Sequence, residues 1–431
     1  MRRTRSCVCA LWLCAATLAA APVPLDSLVS EALANNAELK SLEAEVEAAR
    51  GQRTQAGFFR NPEISVEAGG REVRDSENIL QGNGTTFSVA VMQTFEFPGK
   101  GTLRKAIANK NTEIAELGLE QFRLALAGQV RLLALEHAAA HAEAQAAEAI
   151  HRQSAALTAR LNSHPGFGAR QKLEIRLVQA GLLELAGTIK KASLRCEETR
   201  TQLNALAGRP QSSPLEIPGV QAPPAGALDK NAIVLSAQRN NILLRIRKIE
   251  LVRSARELAA ARLDIAPDFA IGPFFSRDVA GDTEQNLGGA VSASVPLWDW
   301  NIGNIRSAGA RQRVAESLRV KGERDTEARI LSLLKAHELN RRQLEMIPPG
   351  LVNSLQESSR QSDAQFLSGA IGAALYLDAQ SAYLNSLRTS QEAVLDAWRT
   401  YLDIGLLTGG RFDGSATTSG QPPAPKTKSR P

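Results

Sequence analysis

Ala32-Leu33-Ala34-Asn35-Asn36 returns later in the chain as Ala237-Gln238-Arg239-Asn240-Asn241, and Asn61-Pro62-Glu63-Ile64 returns as Ala266-Pro267-Asp268-Phe269. Gly101-Thr102-Leu103-Arg104-Lys105-Ala106 returns as Gly303-Asn304-Ile305-Arg306-Ser307-Ala308, and Leu206-Ala207-Gly208 as Leu407-Thr408-Gly409. The offset drifts from 205 to 202 to 201 residues, as it does when two copies of one unit differ only in loop length. A long internal repeat settles the architecture before any single residue does. Each half carries the order helix, two strands, long helix, turn, helix.

Composition agrees with such a body. Aromatic residues make up only 4% of the 431 residues, so long helices packed through small residues are expected instead of large compact cores. Arg2, Arg3 and Arg5 precede an apolar run from Cys7 to Leu18, and Ala19 and Ala20 follow. That pattern predicts an export signal over residues 1–20, cleaved after Ala19 or Ala20, and the run is too short for a membrane anchor. Cys14 follows Trp12-Leu13, not a small residue, so acylation is not expected.

Three of the four cysteines lie in that signal, which leaves Cys196 and no internal disulfide framework. Cys196 is expected to be a small packing residue on a helix. The net charge of +6 is concentrated in the signal and at Arg411, Lys426, Lys428 and Arg430. No basic stripe with interleaved aromatics appears, so nucleic acid is not an expected partner. Residues 411–431 are rich in Gly, Ser, Thr and Pro and are expected to be disordered. No transmembrane helix is expected, because the mature chain has no apolar run of about 18 residues. Export without such a helix leaves the periplasm, the exterior or an outer-membrane β-barrel.

Leu25 to Phe59 reads as one helix that Pro62 stops. Glu63 to Gly69 then alternates, with Ile64, Val66 and Ala68 on one face; Thr86 to Phe95 alternates again, with Phe87, Val89, Val91 and Phe95 on one face. A polar loop is expected between them, from Gly69-Gly70 to Gly82-Asn83-Gly84. In the second half Phe269 and Ile271 alternate, a loop is expected over Ser276 to Gly289, and Val291, Ala293, Val295 and Leu297 alternate after it. Each strand approaches the roughly 9–11 residues of a tilted transmembrane strand. A soluble hairpin with one buried face would show the same period.

The helices separate these readings. From about Thr102 to Asn162 the pattern is helical, roughly 90 Å at the α-helical rise. Leu119, Leu126, Leu133, Ala140 and Ala147 recur every seven residues. A second heptad series runs through Ile107, Ile114, Leu135, Ala142, Ala149 and Ala156, broken by Gln121 and Gly128. The series are about 200° apart round the helix. Two opposed seams suit a helix with a neighbour on each side, as in a closed ring. His164 to Gly168 ends this helix and Arg170 to Ala207 returns. In the second half Asn304 to Glu345 is helical, Pro348-Pro349 breaks it, and a segment continues to Phe366. After the turn Leu367 to Gly372, Leu375 to Leu407 returns.

With these residues the chain resembles the outer-membrane efflux protein family (TolC-like) over about Leu25 to Gly410. Phe95-Glu96-Phe97-Pro98-Gly99-Lys100 is most similar to channels of heavy-metal and related RND tripartite pumps. Val295-Pro296-Leu297-Trp298 with Asn301-Ile302-Gly303 resembles the other exit from the barrel. Phe366, Gly369 and Leu377-Asp378-Ala379-Gln380 resemble the tunnel-tip motif. The resemblance implies a mainly α fold with a transmembrane β-barrel portion: a homotrimer in which each chain gives four strands to a twelve-stranded barrel and its helices to a long periplasmic α-helical barrel. It implies a cell outer membrane location extending into the periplasm, and as partners outer-membrane lipid, a periplasmic adaptor (membrane fusion) protein and an inner-membrane RND-type pump. Cargo would be metal ions or small toxic compounds, conducted passively. The alternatives are the channel of a type I polypeptide secretion system and a coiled-coil structural protein without a pore.

The expected division is signal 1–20, first repeat 21–208 with strands near 62–70 and 85–96, linker 209–227, second repeat 228–410 with strands near 267–275 and 287–298, and tail 411–431. By the same resemblance Asp378, Phe366, Gly369 and Ile371 form the periplasmic aperture. In TolC a second acidic and a basic residue stand where this chain has Leu375 and Ile371, so apolar closure is an alternative to a charged latch. Gly166, Gly168, Gly369 and Gly372 belong to the tip turns that meet the adaptor. Pro98, Gly99, Pro296, Trp298 and Gly303 mark the barrel–tunnel junction, with Trp298 and Trp300 either in an interfacial belt or packed where barrel passes into tunnel.

Other motifs carry less. His137, His141, Glu148 and His151 share one helical stripe, expected to face solvent or tunnel instead of binding metal. Pro98-Gly99-Lys100 lacks the glycine and hydroxyl of a phosphate loop, because Thr94 and Gly101 stand in those places. No nucleophile elbow, zinc motif or dinucleotide fingerprint is present, so neither enzyme activity nor a cofactor is expected.

Overall fold

The computed structural model describes residues 23–163, 168–219, 221–224, 228–280 and 282–410. The expected export signal, Gly166 and the tail 411–431 lie outside these residues. In chain order the elements are α1 (Leu25–Asn35), α2 (Ala37–Gln55), β1 (Glu63–Arg74), β2 (Leu80–Phe95), α3 (Lys100–Asn162), α4 (Ala169–Ala207), α5 (Lys230–Asn240), α6 (Ile242–Leu263), β3 (Phe269–Ala280), β4 (Asp282–Ala293), α7 (Ile302–Met346), α8 (Leu351–Leu367) and α9 (Ala373–Leu407). The order helix, two strands, long helix, helix is thus traversed twice.

Two details differ from the sequence reading. The expected single helix from Leu25 to Phe59 is two, broken at Asn36, whose ψ of 126° leaves the helical path. Asn241, with ψ of 119°, makes the same break between α5 and α6. The repeated Asn-Asn pair is therefore a helix break in both halves. The strands also run further into the polar segments than expected. Arg71 pairs with Gly84 and Glu72 with Asn83, and Ser276 pairs with Asn286, so both expected loops are mostly ladder. Backbone pairing needs no apolar side chain, and period alone cannot see polar residues that continue a register. At the other end β4 stops at Ala293, opposite Phe269, the first residue of β3. Val295, Pro296 and Leu297, expected in the strand, have no partner strand to meet.

The chain divides into two compact units, described separately here. The second is formed by residues 37–128, 224–341 and 399–431, so far as they are described, and holds the sheet. Its order is β1-β2-β3-β4, antiparallel throughout. Ile64↔Val91, Val66↔Val89 and Ala68↔Phe87, then Val89↔Phe275 and Phe95↔Phe269, then Ile271↔Val291 and Phe275↔Leu287, put one apolar face across all four strands. Most of these side chains are exposed on it. The opposite face carries Gly69↔Thr86, Thr86↔Asp278 and Ser276↔Asn286. β1 and β4 are the edges. The helical part of this unit has a small core of Ile233, Ala237, Ile330 and Ile404.

The first unit is formed by residues 1–36, 129–223 and 342–398, so far as they are described. Its cores are equally small: Leu157, Val178, Phe366, Ala373 and Tyr376 in one, Leu135, Ala139 and Leu395 in another. The 63-residue α3, about 95 Å long, contributes to both units. In the first heptad seam Leu126, Ala140 and Ala147 are buried and Leu119 and Leu133 half-buried; in the second Leu135 is buried, Ala142 and Ala149 are half-buried and Ala156 is exposed. α7 ends at Met346 before Pro348-Pro349, and α8 restarts after Gly350 at φ +79°.

The segment after α4 is held at several points within the first unit. Asn204 donates to the carbonyl oxygens of Gln211 and Ser213, Val23 donates its amide to Glu216, and the Trp398 indole donates to Gln221 at 2.7 Å. Leu215 is buried under this bracing.

Candidate functional site: the turn before α9 and the strand–helix junction

The turn Ser368–Gly372 closes α8. Gly369 takes φ +73°, and the amides of Ala370 and Ile371 both return to the Gln365 carbonyl. Asp378 lies just over one helical turn into α9, exposed, and lines a cleft of about 450 Å³ with Gly181, Leu377, Ser381 and Arg388. At Gly181 a Cβ would stand 2.6 Å from the Leu377 Cδ2, so a larger residue there would displace the Leu377 side chain. Leu177, the repeat counterpart of Asp378, is exposed.

Phe366 sits differently from the expectation for an aperture residue. It is 5% exposed and stacks on Tyr376 with ring centroids 5.0 Å apart. Its side chain fills the core beneath the turn, and Ile371 packs against the same cluster. Gly372 starts α9, where its carbonyl accepts from the Tyr376 amide. Gly168 caps α4 and its amide donates to Gln171 Oε1 at 3.0 Å.

A buried polar network beside this turn was not legible in the sequence. The Tyr376 hydroxyl donates to Asp363 Oδ1 at 2.9 Å and lies 2.7 Å from Ser154 Oγ. Gln380 Nε2 donates to the Ser359 carbonyl and to Ser362 Oγ, and its Oε1 accepts from Ser359. Burial pushes the Asp363 carboxyl above its ordinary range, against the opposing bond from Tyr376. Burial likewise raises the Tyr376 hydroxyl. The one available signal was Tyr376 and Gln380, spaced i,i+4 on the apolar face of α9.

The histidine stripe divides. His141 and Glu148 are exposed, but His137 is 3% exposed and does not face solvent as expected. Its Nδ1 lies 3.1 Å from the Cys196 carbonyl and its Nε2 3.2 Å from that of Leu215. The braced segment after α4 covers it, which helical periodicity on α3 cannot reveal. Burial lowers its pKa, against the bonds to Leu215 and Cys196. Cys196 is half-buried beside it, Sγ 3.7 Å from Nδ1, and burial pushes its thiol up. Among the described residues no group of three or more His, Cys, Asp or Glu side chains could hold a metal ion.

The junction in the second unit is built on Pro98-Gly99-Lys100. Gly99 takes φ +103° and a Cβ there would meet Leu263 at 3.0 Å. Lys100 Nζ donates to Asp268 Oδ1 at 2.8 Å and to the Ala266 carbonyl at 2.7 Å, and the Phe97 amide donates to the same carboxylate. Burial pushes Asp268 up, but Lys100, the Phe97 amide and Arg60 outweigh it and hold the carboxyl below its ordinary range. Lys100 thus joins the exit of the first repeat's strands to the entry of the second's. At the matching exit Asn301 takes φ +52° and donates to the Ala261 carbonyl at 2.8 Å. Pro296 is half-buried, Trp298 is 92% exposed, and Gly303 has open space around it.

A duplicated set of long helices joined to a four-stranded sheet with one apolar face is the fold of solved outer-membrane channels. The outer membrane channel CmeC of Campylobacter jejuni aligns with TM-score 0.72 and 17% identity over 91% of this chain and 87% of its own. The open-state MtrE channel of Neisseria gonorrhoeae aligns with TM-score 0.70 and 15% identity over 91% of each chain. CusC aligns with TM-score 0.69 and 19% identity over 90% of this chain and 92% of its own. No curated protein sequence matches the chain significantly. Residues 28–209, the span of the first repeat, match the family model described as outer membrane efflux protein.

Proposed function

We propose that the chain is the outer-membrane exit duct of a tripartite efflux pump. Three copies each give four strands to a twelve-stranded barrel and their helices to a periplasmic tunnel. A periplasmic adaptor meets the turns at the far ends of the helices, and an inner-membrane RND-type pump supplies the energy. Conduction through the duct is passive, and the cargo is metal ions or small toxic compounds.

One observation carries this reading: a sheet of strands at least 12 residues long with an exposed apolar face across all four strands, interrupted only at Gln93 and bounded by Arg277, and two open edges among the described residues. Water penalises such a face and hydrocarbon accepts it, provided that the edges close. The half-covered second seam of α3 supports a neighbouring chain, as do Leu173, Leu183, Leu194, Val314 and Leu339, all exposed on α4 and α7. Asp378, Gly369 and Ile371 at the turn before α9 are assigned to the periplasmic aperture, and Gly166, Gly168 and Gly372 to adaptor contact.

The test is ion conductance of the purified full chain in a planar lipid bilayer. Discrete, stable conductance steps are expected. Protein that inserts without conducting overturns the reading in favour of a scaffold.

A further inference from the structure

The strand–helix junction of the first repeat is not a copy of the second. Two adjoining clefts open beside the end of α2 and share Phe58, Phe59, Glu96 and Arg104. One of them, about 350 Å³, is also lined by Phe95, Phe97 and Lys105. Four phenylalanines therefore meet at one place in a chain that is only 4% aromatic, and all four are exposed, Phe59 at 84%. Burying such rings within the chain would have been favourable, so their exposure needs an occupant.

The charges are as unequal as the rings. Arg60, Arg104 and Lys105 stand against Glu96, which pairs with both arginines, Arg104 Nη1 at 2.5 Å and Arg60 Nε at 3.4 Å; Arg60 also reaches Asp268 at 3.9 Å, a carboxylate that Lys100 already pairs at 2.8 Å. Lys105 has no carboxylate partner among the described residues. Arg104 also donates to the carbonyls of Ala56 and Phe58, which fixes its guanidinium at the cleft wall. In the second repeat the carbonyl matching Ala56 is that of Ala261, and neutral Asn301 satisfies it. There Leu263-Asp264-Ile265 replaces Phe58-Phe59-Arg60, and Ser307 replaces Lys105. The second repeat has exposed rings of its own in Trp298 and Trp300, but the ring pair beside the helix end and the cations at positions 60 and 105 have no copy there, although the backbone task at this point exists in both.

We propose that this cleft seats an anionic phospholipid, with the headgroup phosphate on Arg104, Lys105 and Arg60 and the acyl chains along the apolar sheet face. Phe95 makes the connection, because it lines the cleft and also ends the apolar face, stacked on Phe269 at 5.6 Å. Aromatic rings and basic side chains together at the end of a lipid-length strand are the chemistry of a membrane–water interface. The proposal rests on the membrane reading of that face.

Native mass spectrometry of the detergent-solubilised full chain, after exchange into phosphatidylglycerol or phosphatidylethanolamine, tests it. Lys105→Gln and Arg60→Gln alter exposed side chains and should each weaken phosphatidylglycerol retention about five-fold, roughly the effect of one surface charge, with phosphatidylethanolamine unaffected. Phe59→Ala should weaken both lipids. Arg306→Gln, the position matching Arg104 in the second repeat, should change neither. Three results would overturn the proposal. They are unchanged retention in the Arg60→Gln, Lys105→Gln double variant, equal loss in Arg306→Gln, and a change in copies per particle with retention kept, which would make the cleft a face between subunits. Bilayer conductance of the same wild-type sample is read separately: its absence counts against the channel reading, whereas the retention pattern alone judges the cleft.

Discussion

The side-chain amide of Asn36 donates to the carbonyl oxygen of Leu206 at 3.2 Å, and in the other repeat Asn241 does the same to Leu407 at 3.1 Å. Each asparagine breaks its own helix and satisfies one of the last carbonyls of another, which helix geometry leaves without an internal partner. The motifs that reveal the duplication in the sequence are therefore contact partners in space. Asn36→Ala or Asn241→Ala should cost about 1–2 kcal/mol, because a part-buried acceptor is left unsatisfied. Thermal denaturation should show the loss for either variant, and an unchanged midpoint would remove the role assigned to these bonds.

Gly409 follows Leu407 by two residues, at φ +70°, where a Cβ would stand 2.6 Å from the Asn240 carbonyl oxygen. Gly409→Ala should therefore destabilise by more than the roughly 1–2 kcal/mol of left-handed alanine alone. Gly303→Ala, in open space in the first turn of α7, serves as the comparison and should be near neutral.

At the junction, Lys100→Met leaves the half-buried Asp268 carboxylate without its cation, at a cost of about 1–3 kcal/mol. The Asp268 carboxyl is held below its ordinary range. The stability it contributes is therefore present above the unfolded carboxylate value of about 3.9 and is lost as pH falls through the lower folded value. Wild type and Lys100→Met should converge in melting temperature on acidification. A gap that persists below that range would assign the effect to packing.

Asp363 has the opposite sign. Its carboxyl is raised by burial, so the stability it contributes is complete below the unfolded value and is lost as pH rises through the folded one. Asp363→Asn keeps an acceptor for the Tyr376 hydroxyl and removes the buried charge. The variant should be at least as stable as wild type at neutral pH, and the advantage should vanish in acid. Tyr376→Phe, which removes the shorter of the two bonds donated to Asp363 and leaves it the 3.4 Å one from Gln380, should be destabilised at neutral pH.

If Asp378 rings the aperture, a carboxylate in each copy should favour cations there. Reversal potentials in asymmetric salt should show a smaller cation preference for Asp378→Ala. Unchanged selectivity and conductance would move Asp378 from the aperture to the ordinary surface of α9.

What could be read from residue order alone was whatever repeats or alternates. The duplication, the apolar strand faces and the stop at Pro348-Pro349 all leave a periodic or punctuated trace. What could not be read depends on partners far away in the chain. Lys100 finds Asp268 across 168 residues, Tyr376 finds Ser154 across 222, and His137 is covered by Leu215 from 78 residues on. The strand ends escape a sequence reading for a related reason. Arg71 and Glu72 look like loop residues until their ladder partners Gly84 and Asn83 are known.

β1 and β4 each end the sheet with a row of amides and carbonyls that face no further strand among the described residues. Hydrocarbon offers such groups nothing to bond, at a penalty of several kcal/mol for each. A solitary copy adrift in a bilayer is therefore forbidden on energetic grounds, whatever its helices do. If the sheet is the barrel wall proposed above, birth of the pore and recruitment of its subunits are a single event, and a defective copy able to offer one edge but not the other would halt the process for its sisters as well.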